Sequence, residues 1–320
     1  MNRAGVETNL ATATLRRALL NPERTALVFE DEEITYAAFG DRVRRQATLL
    51  RSAGVCAGDR VAYLGLNHPA LLETLFATQA LGAIFVPLNF RLTAEELTFI
   101  INDAGVHSIV VDDTLRPVLE PARADLCCRH YFSSEGETEG WRHLVTERAD
   151  AEPLAEPVSV DQHDVAVIMY TSGTTGRPKG AMLTHGNILW NNFNAMLAFG
   201  GSRDDVILTA APLFHIGGLN VMTLSSFHVG SKVVLLRNFD PAQVLADIGR
   251  YAVTHMFGAP AMFLFMSQDP GFGDCDLSSV RNLICGAAPV PESLIELYAA
   301  RGIDFCQGYG LTETSPFASF

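Results

Sequence analysis

The sequence predicts an α/β protein built on mainly parallel sheets, and three observations carry that prediction. Short apolar runs of strand length alternate with longer stretches of helical periodicity along most of the chain. Parallel strands need crossover connections, and right-handed crossovers lay helices over the sheet faces. The rhythm lapses between about Leu115 and Asp164 and then resumes, which predicts two α/β subdomains, residues 1–160 and 161–320. The third observation is bulk: the chain has 320 residues, 48% of them hydrophobic, enough for a large packed core.

The elements follow in order. "TALVFE" and "ITYAAF" read as strands flanking the acidic turn "DEE", with a helical stretch running on to about Leu50. "DRVAYLGL" is the next strand. "PALLETLFATQALGAIFVPL" carries Glu73, Gln79 and Pro87, so it reads as a buried helix followed by a buried strand rather than a membrane span. A helix from "TAEELTFIINDAG" and the strand "HSIVVD" complete the first series. After the irregular stretch, "DVAVIMY" is a strand that feeds a glycine-rich loop, and "THGNILWNNFNAML" is the helix beyond it. The alternation then continues through "DVILTAAP", the apolar segment after Phe214, "SKVVLL", "DPAQVLADIGRY", "THMF", "AMFLFM", "SVRNLICG", "PESLIELYAARG" and "DFCQGYG".

Composition excludes several functions. A net charge of −13 with no arginine- and lysine-rich patch argues against a nucleic-acid partner. Cys56, Cys127, Cys128, Cys275, Cys285 and Cys306 include no CxxC pair, so reduced thiols are expected rather than a zinc site or a disulfide framework. The N-terminus lacks the apolar run of a signal peptide, and no transmembrane segment is predicted; the expected location is the cytoplasm.

The loop is "YTSGTTGRPKG", Tyr170 to Gly180. A strand ending in such a loop presents successive backbone N–H groups with little side-chain bulk, while hydroxyls and the cations Arg177 and Lys179 add donors and positive charge. That chemistry suits a polyphosphate. It is neither GxxxxGK[ST] nor GxGxxG, so a Walker A loop and a dinucleotide-binding turn are both excluded. A solvated turn without a ligand is the competing account.

Taken with "CGAAPV" (Cys285 to Val290) and "QGYGLTET" (Gln307 to Thr314), in that order along the chain, the loop resembles the signature motifs of the adenylate-forming superfamily. That superfamily includes acyl-CoA synthetases, aryl-CoA ligases, luciferases and the adenylation domains of peptide synthetases. "ITYAAF" and "GAIFVPLNFRLTAEEL" extend the resemblance over essentially the whole chain. It implies a large N-terminal adenylation domain, to which both subdomains belong, with stacked, mainly parallel sheets under helices and a smaller β-rich part. The implied activity is that of an AMP-forming acyl-CoA synthetase: ATP and a carboxylic acid, fatty or otherwise hydrophobic, give an acyl-adenylate and pyrophosphate, and coenzyme A then takes the acyl group. A carrier-protein phosphopantetheine is the alternative acceptor, a non-catalytic nucleotide-binding scaffold is the alternative function, and a homodimer is a candidate assembly.

By the same resemblance, Thr171, Ser172, Gly173, Thr174, Thr175, Gly176 and Lys179 line the β- and γ-phosphates, with a purely structural turn as the other role for each. Gly286, Ala287, Ala288 and Pro289 face adenine together with Gln307, Gly308 and Tyr309, with simple core packing as the other role for Tyr309. Gly310 lets the chain approach the adenylate, Thr312 meets the α-phosphate, and Glu313 is the magnesium ligand unless it is an ordinary surface acid. His215, in "PLFHIGG", contacts the entering carboxylate or is a packing histidine; His185 is expected to be structural. Asn220, Met222, Met256, Phe257, Gly258 and Ala259, with Gly310, are expected in the wall of the acid pocket. Methionine and phenylalanine there suit an aliphatic or aromatic acid, since an amino acid would call for a buried acidic partner. The superfamily pattern continues beyond Thr314 with a ribose-binding aspartate and a mobile domain carrying a catalytic lysine. Neither lies in these 320 residues, so the resemblance implies the major domain of a longer ligase, with low activity in isolation.

Overall fold

The computed structural model describes residues 8–172 and 177–320. Its strands, in chain order, are β1 (Thr25–Phe29), β2 (Glu32–Thr35), β3 (Arg60–Leu64), β4 (Ile84–Leu88), β5 (Val106–Val111), β6 (His130–Ser133), β7 (Arg142–His143), β8 (Val165–Thr171), β9 (Lys179–Thr184), β10 (Val206–Thr209), β11 (Lys232–Leu235), β12 (His255–Gly258), β13 (Asn282–Cys285), β14 (Asp304–Gln307), β15 (Tyr309–Gly310) and β16 (Phe317–Ser319). They form two seven-stranded sheets and one two-stranded sheet, β15 with β16. The expected α/β class, with mainly parallel sheets, is what the chain adopts.

The first compact unit contains Ala37–Gly65, Ala70–Leu189 and the described residues up to Leu20. Its sheet runs β7-β6-β5-β3-β4-β8-β9, parallel throughout except for the last pair, where β9 returns antiparallel to β8. Helix Pro69–Ala80 is buried along its whole length, as its all-round apolar sequence requires. Its one carboxylate, Glu73, is paired with Arg42 at 3.5 Å and with Arg148, so the buried charge is compensated. Helix Ala94–Ala104 begins in a capping box, with Thr93 Oγ1 accepting from Glu96 N and Glu96 Oε2 accepting from Thr93 N at 2.8 Å. Leu97, Ile100 and Ile101 then fall on the face that packs on β3, β4 and β5.

The second unit contains Asn21–Tyr36, Leu66–Pro69 and Trp190–Phe320. Its sheet runs β14-β13-β12-β10-β11-β1-β2 and is again parallel apart from one edge pair, the hairpin β1–β2. Helix Pro241–Tyr251, capped by Asp240 accepting from Gln243 N at 2.8 Å, buries Val244, Leu245 and Ile248 in the core on one sheet face. Both units are therefore discontinuous in sequence. A cut at residue 160 does not separate them, because β8 and β9 hydrogen-bond into the first sheet while β1 pairs with β11 in the second. Strand order is set by long-range pairing, which local periodicity does not report.

β9 is an element that the sequence pattern did not announce. In "KGAMLT" only Leu183 is buried and Met182 is exposed, so an antiparallel edge strand with one wet face left no apolar run to detect. Among the described residues no helix is long and apolar enough to cross a membrane.

Candidate functional site

In the second unit, β10, β12, β13 and β14 run parallel, so their carboxyl ends deliver four connecting segments to one edge of the sheet. Ligands in open α/β sheets settle at such edges. A cavity of about 390 Å³ lies there. Ile216, Val221, Phe257, Met262 and Phe317 give it apolar walls, while His215, Ala287, Tyr309, Gly310 and Thr312 contribute polar atoms, backbone and an aromatic face.

The segment after β10 is fixed by a residue far away in sequence. Asn67, almost fully buried, donates from Nδ2 to the carbonyls of Ala211 and Leu236, both at 3.1 Å, and accepts from Leu213 N at 2.8 Å. All its amide groups near the segment are thereby used, and the backbone leading to His215 is held. Gly218 lets helix Ile216–Asn220 press on this segment, since a Cβ there would fall on the Pro212 carbonyl oxygen. His215 itself is exposed, precedes that helix, and lies beside Phe214 with ring centroids 4.2 Å apart and the rings tilted at 49°.

Strand alternation sorts the expected pocket wall. Phe257 and Ala259 line the cavity, but Met256 does not: it points to the opposite face of β12 and is completely buried in the core with Val244, Ile248 and Phe263. Gly258 likewise backs onto the Phe263 ring, its contribution being a carbonyl that accepts from Gly286 N at 3.2 Å. Asn220 is fully buried and is not a lining residue; its Nδ2 donates to the Ser315 carbonyl at 2.7 Å. Met222 packs with Ala195, Phe199 and Ile207. Sequence reasoning missed Met262, Val221, Leu311, Pro316 and Phe317 as lining residues, and Asn67 as the support of the segment 211–213. The pattern "SPF" after the turn carried no signal, because Phe317 reaches the cavity only through the hairpin.

The loops after β13 and β14 lie side by side: Gly308 N donates to Cys285 O at 2.7 Å, and a Cβ on Gly286 would stand 3.1 Å from Gly308 O. Ala287 takes a left-handed φ of 71° and is exposed with Ala288 and Pro289. Gln307 is exposed at the end of β14, and Tyr309, 61% exposed, presents its ring at the cavity from β15. Gly310 is required, because a Cβ would coincide with the Pro316 carbonyl oxygen. The turn Thr312–Thr314 is then closed from within: Leu311 N donates to Thr314 Oγ1 at 2.8 Å and to Pro316 O at 3.1 Å, and Thr314 Oγ1 donates to Pro316 O. Thr314 is consumed by this internal work. Glu313 is exposed on the turn and, among the described residues, has no ion-pair or hydrogen-bond partner; its hard anionic oxygens fit a magnesium ion that also takes phosphate oxygens. Among the described residues there is no cluster of three metal-ligating side chains.

In the first unit, Thr171 and Lys179 are directly opposed at the open end of the β8–β9 pair, and Ser172 follows as an exposed residue. Lys179 is exposed, while Arg177 lies over the Phe99 ring at 5.7 Å. Tyr170 anchors the base of the loop by donating to Asp103 Oδ2 at 2.6 Å, and burial together with that bond pushes its phenol pKa up. Gly173, Thr174, Thr175 and Gly176 lie outside the described residues. His185 follows β9 at the end of the pair opposite Lys179 and is buried, as expected of a structural residue; its backbone N–H donates to Asp164 O at 3.0 Å.

Comparison with known proteins places this architecture. A family model described as "AMP-binding enzyme" matches residues 15–320. The chain is 44% identical over 307 residues to a feruloyl-CoA synthase from Amycolatopsis sp, covering 96% of this chain and 60% of that protein. It is 37% identical over 308 residues to an indoleacetate–CoA ligase from Aromatoleum aromaticum, covering 95% of this chain and 60% of that protein. It superimposes with a TM-score of 0.92 on the anthranilate CoA ligase AuaEII in complex with anthranoyl-AMP, at 25% identity, covering 97% of this chain and 61% of that one. The chain thus spans about three fifths of the length of these relatives.

Proposed function

The chain belongs to the AMP-binding enzyme family, and from that premise we propose that it activates a hydrophobic, aromatic carboxylic acid with ATP and passes the acyl group to coenzyme A. The observation that carries this reading is the cavity of the second unit, where the apolar walls Val221, Phe257, Met262 and Phe317 meet Tyr309, Ala287 and the Thr312 turn. An apolar compartment adjoining an aromatic face and a hydroxyl-bearing turn fits an acid whose carboxylate is presented beside a nucleotide. The relatives named for ferulate, indoleacetate and anthranilate favour an aromatic acid over a long aliphatic one.

In this reading a carboxylate oxygen attacks the α-phosphorus of ATP, the α–β bridging bond breaks, and pyrophosphate leaves. The thiol of coenzyme A then adds to the acyl carbon, and AMP departs. No general base is needed for the first step, because a carboxylic acid is already ionised near neutrality. His215 orients the acid instead, and Asn67 keeps the His215 segment in place. In the second unit Tyr309 and Ala287 hold adenine and Thr312 donates to a phosphate; in the first unit Lys179, Thr171 and Ser172 offer a cation and hydroxyls to phosphate oxygens. Glu313 would hold magnesium, which when bound neutralises phosphate charge.

A pyrophosphate-release assay on the full gene product tests this, with cinnamic, arylacetic, benzoic, medium-chain and long-chain acids in parallel. Release is expected with an aromatic acid, followed by thioester formation when coenzyme A is added. Lys179→Ala and Glu313→Gln should each slow release by about 10- to 1000-fold without loss of fold, and Glu313→Gln should also raise the magnesium requirement. No release with any acid, or parent rates in both variants, would sink the proposal.

A further inference from the structure

The turn that carries Thr312 and Glu313 is held from outside by two buried asparagines. Asn220 has no exposed surface, and its Nδ2 donates to the Ser315 carbonyl at 2.7 Å. Asn191, in helix His185–Phe199, donates from Nδ2 to the Asn220 carbonyl at 2.9 Å and accepts from Phe317 N at 3.3 Å. One amide therefore grips the residue that ends the turn, and the other ties that grip to the strand that follows it. Ser315 needs such a grip, since it sits at a left-handed φ of 67° that a serine adopts only when its surroundings impose it. Its N–H donates to Thr312 O at 3.2 Å, so a displacement of Ser315 is passed directly to Thr312. Neither asparagine lines the cavity.

We propose that Asn220 and Asn191 are positioning residues for the Thr312–Glu313 turn: by fixing Ser315 and Phe317 they hold the Thr312 hydroxyl and the Glu313 carboxylate ready for the nucleotide phosphate and its cation. The proposal rests on the reading of those two groups given above. Buried amide hydrogen bonds are suited to this work, because no water competes for the carbonyl and loss of the donor leaves that carbonyl unpaired. Catalytic groups that drift by a fraction of an ångström lose rate without losing the substrate.

The test compares Asn220→Ala, Asn191→Ala and Asn192→Ala with the parent in the full gene product. Asn192 is an equally buried neighbour on the same helix that makes no hydrogen bond to the turn among the described residues, so it reports on packing alone. Asn220→Ala and Asn191→Ala are expected to lower kcat for pyrophosphate release about 10- to 100-fold, with the acid KM little changed and the magnesium requirement raised. Hydrogen exchange of the unliganded proteins supplies a readout independent of turnover: amides of residues 311–317 should exchange faster in both variants, while those of β10, β12 and β13 keep parent rates. Asn192→Ala should lower the thermal midpoint without either change. Parent exchange and parent kcat in both turn variants would overturn the proposal, as would the same kinetic and exchange changes in Asn192→Ala. Should one turn variant fail to fold, the other decides. A parent that releases no pyrophosphate with any acid overturns the functional reading and this proposal with it, whereas an active parent beside unaltered turn variants overturns this proposal alone.

Discussion

His185 begins helix His185–Phe199 and is almost completely buried, with Leu10 N directed at its Nδ1 at 3.5 Å. Burial pushes its pKa down to about 4, against a smaller opposing pull from Asp164. The folded state therefore prefers the neutral ring. Because the folded pKa lies below the unfolded value, the stabilisation is whole above about pH 6.5 and is lost as the pH falls from there towards 4. By pH 4.5 the loss should amount to about 2 to 3 kcal/mol. Denaturant unfolding of the parent and of His185→Gln from pH 7 to 4.5 should show a shallower decline in the variant; parallel declines would mean that other groups govern acid lability. At this scale the sequence was informative about chemical type. Glu313, Lys179 and Tyr309 are exposed. Asn67 and Asn191 were illegible, because an asparagine looks the same in sequence whether it faces water or clamps backbone groups.

The hairpin formed by β15 and β16 shows what an element contributes. Its residues Tyr309 and Gly310 pair with Ser319 and Phe317 across a turn only a few residues long, so the backbone approaches itself closely. Gly310→Ala would drive a Cβ onto the Pro316 carbonyl, which is backbone and closed by the Leu311 N–H, so the strand must shift. A destabilisation of about 1 to 3 kcal/mol and loss of adenylation are expected together. Gly308→Ala is the comparison: its Cβ would meet Phe317 Cε1 at 2.7 Å, and an aromatic ring can turn away, so the cost should be smaller. Thermal denaturation of both variants checks the order; Gly310→Ala as stable as the parent would contradict this account of the hairpin. Strands with apolar runs were readable in sequence, and so was the helix Pro69–Ala80 with its following strand β4. The face that each residue of a short buried strand presents was not, and Met256 was misplaced beside Phe257 for that reason.

Across the whole molecule the chain passes between its two compact units several times, so neither unit is a continuous segment. Residues 190–320 lack β1 and β2, whose Leu27 and Val28 are buried beside β11, and lack Asn67 and the Tyr36 hydroxyl that donates to Ser231 O at 2.8 Å. Expressed alone, that segment should leave β11 as an unpaired parallel edge and should not unfold cooperatively; adding residues 21–36 should restore part of the protection of β11 against hydrogen exchange. Cooperative unfolding of 190–320 by itself, with native protection of β11, would refute this view of the second unit. The sequence by itself determined the α/β class, the order of nearly all elements, and the chemical character of the loops at residues 170–180, 285–290 and 307–314, because periodicity, turn residues and motif spacing are local properties. Only the tertiary structure decided which strands share a sheet, which side of β12 meets the cavity, and which distant asparagines hold the His215 segment and the Thr312 turn. Those outcomes depend on pairing and burial between residues up to more than a hundred positions apart, as with Asn67 and Leu213, and no local pattern records them.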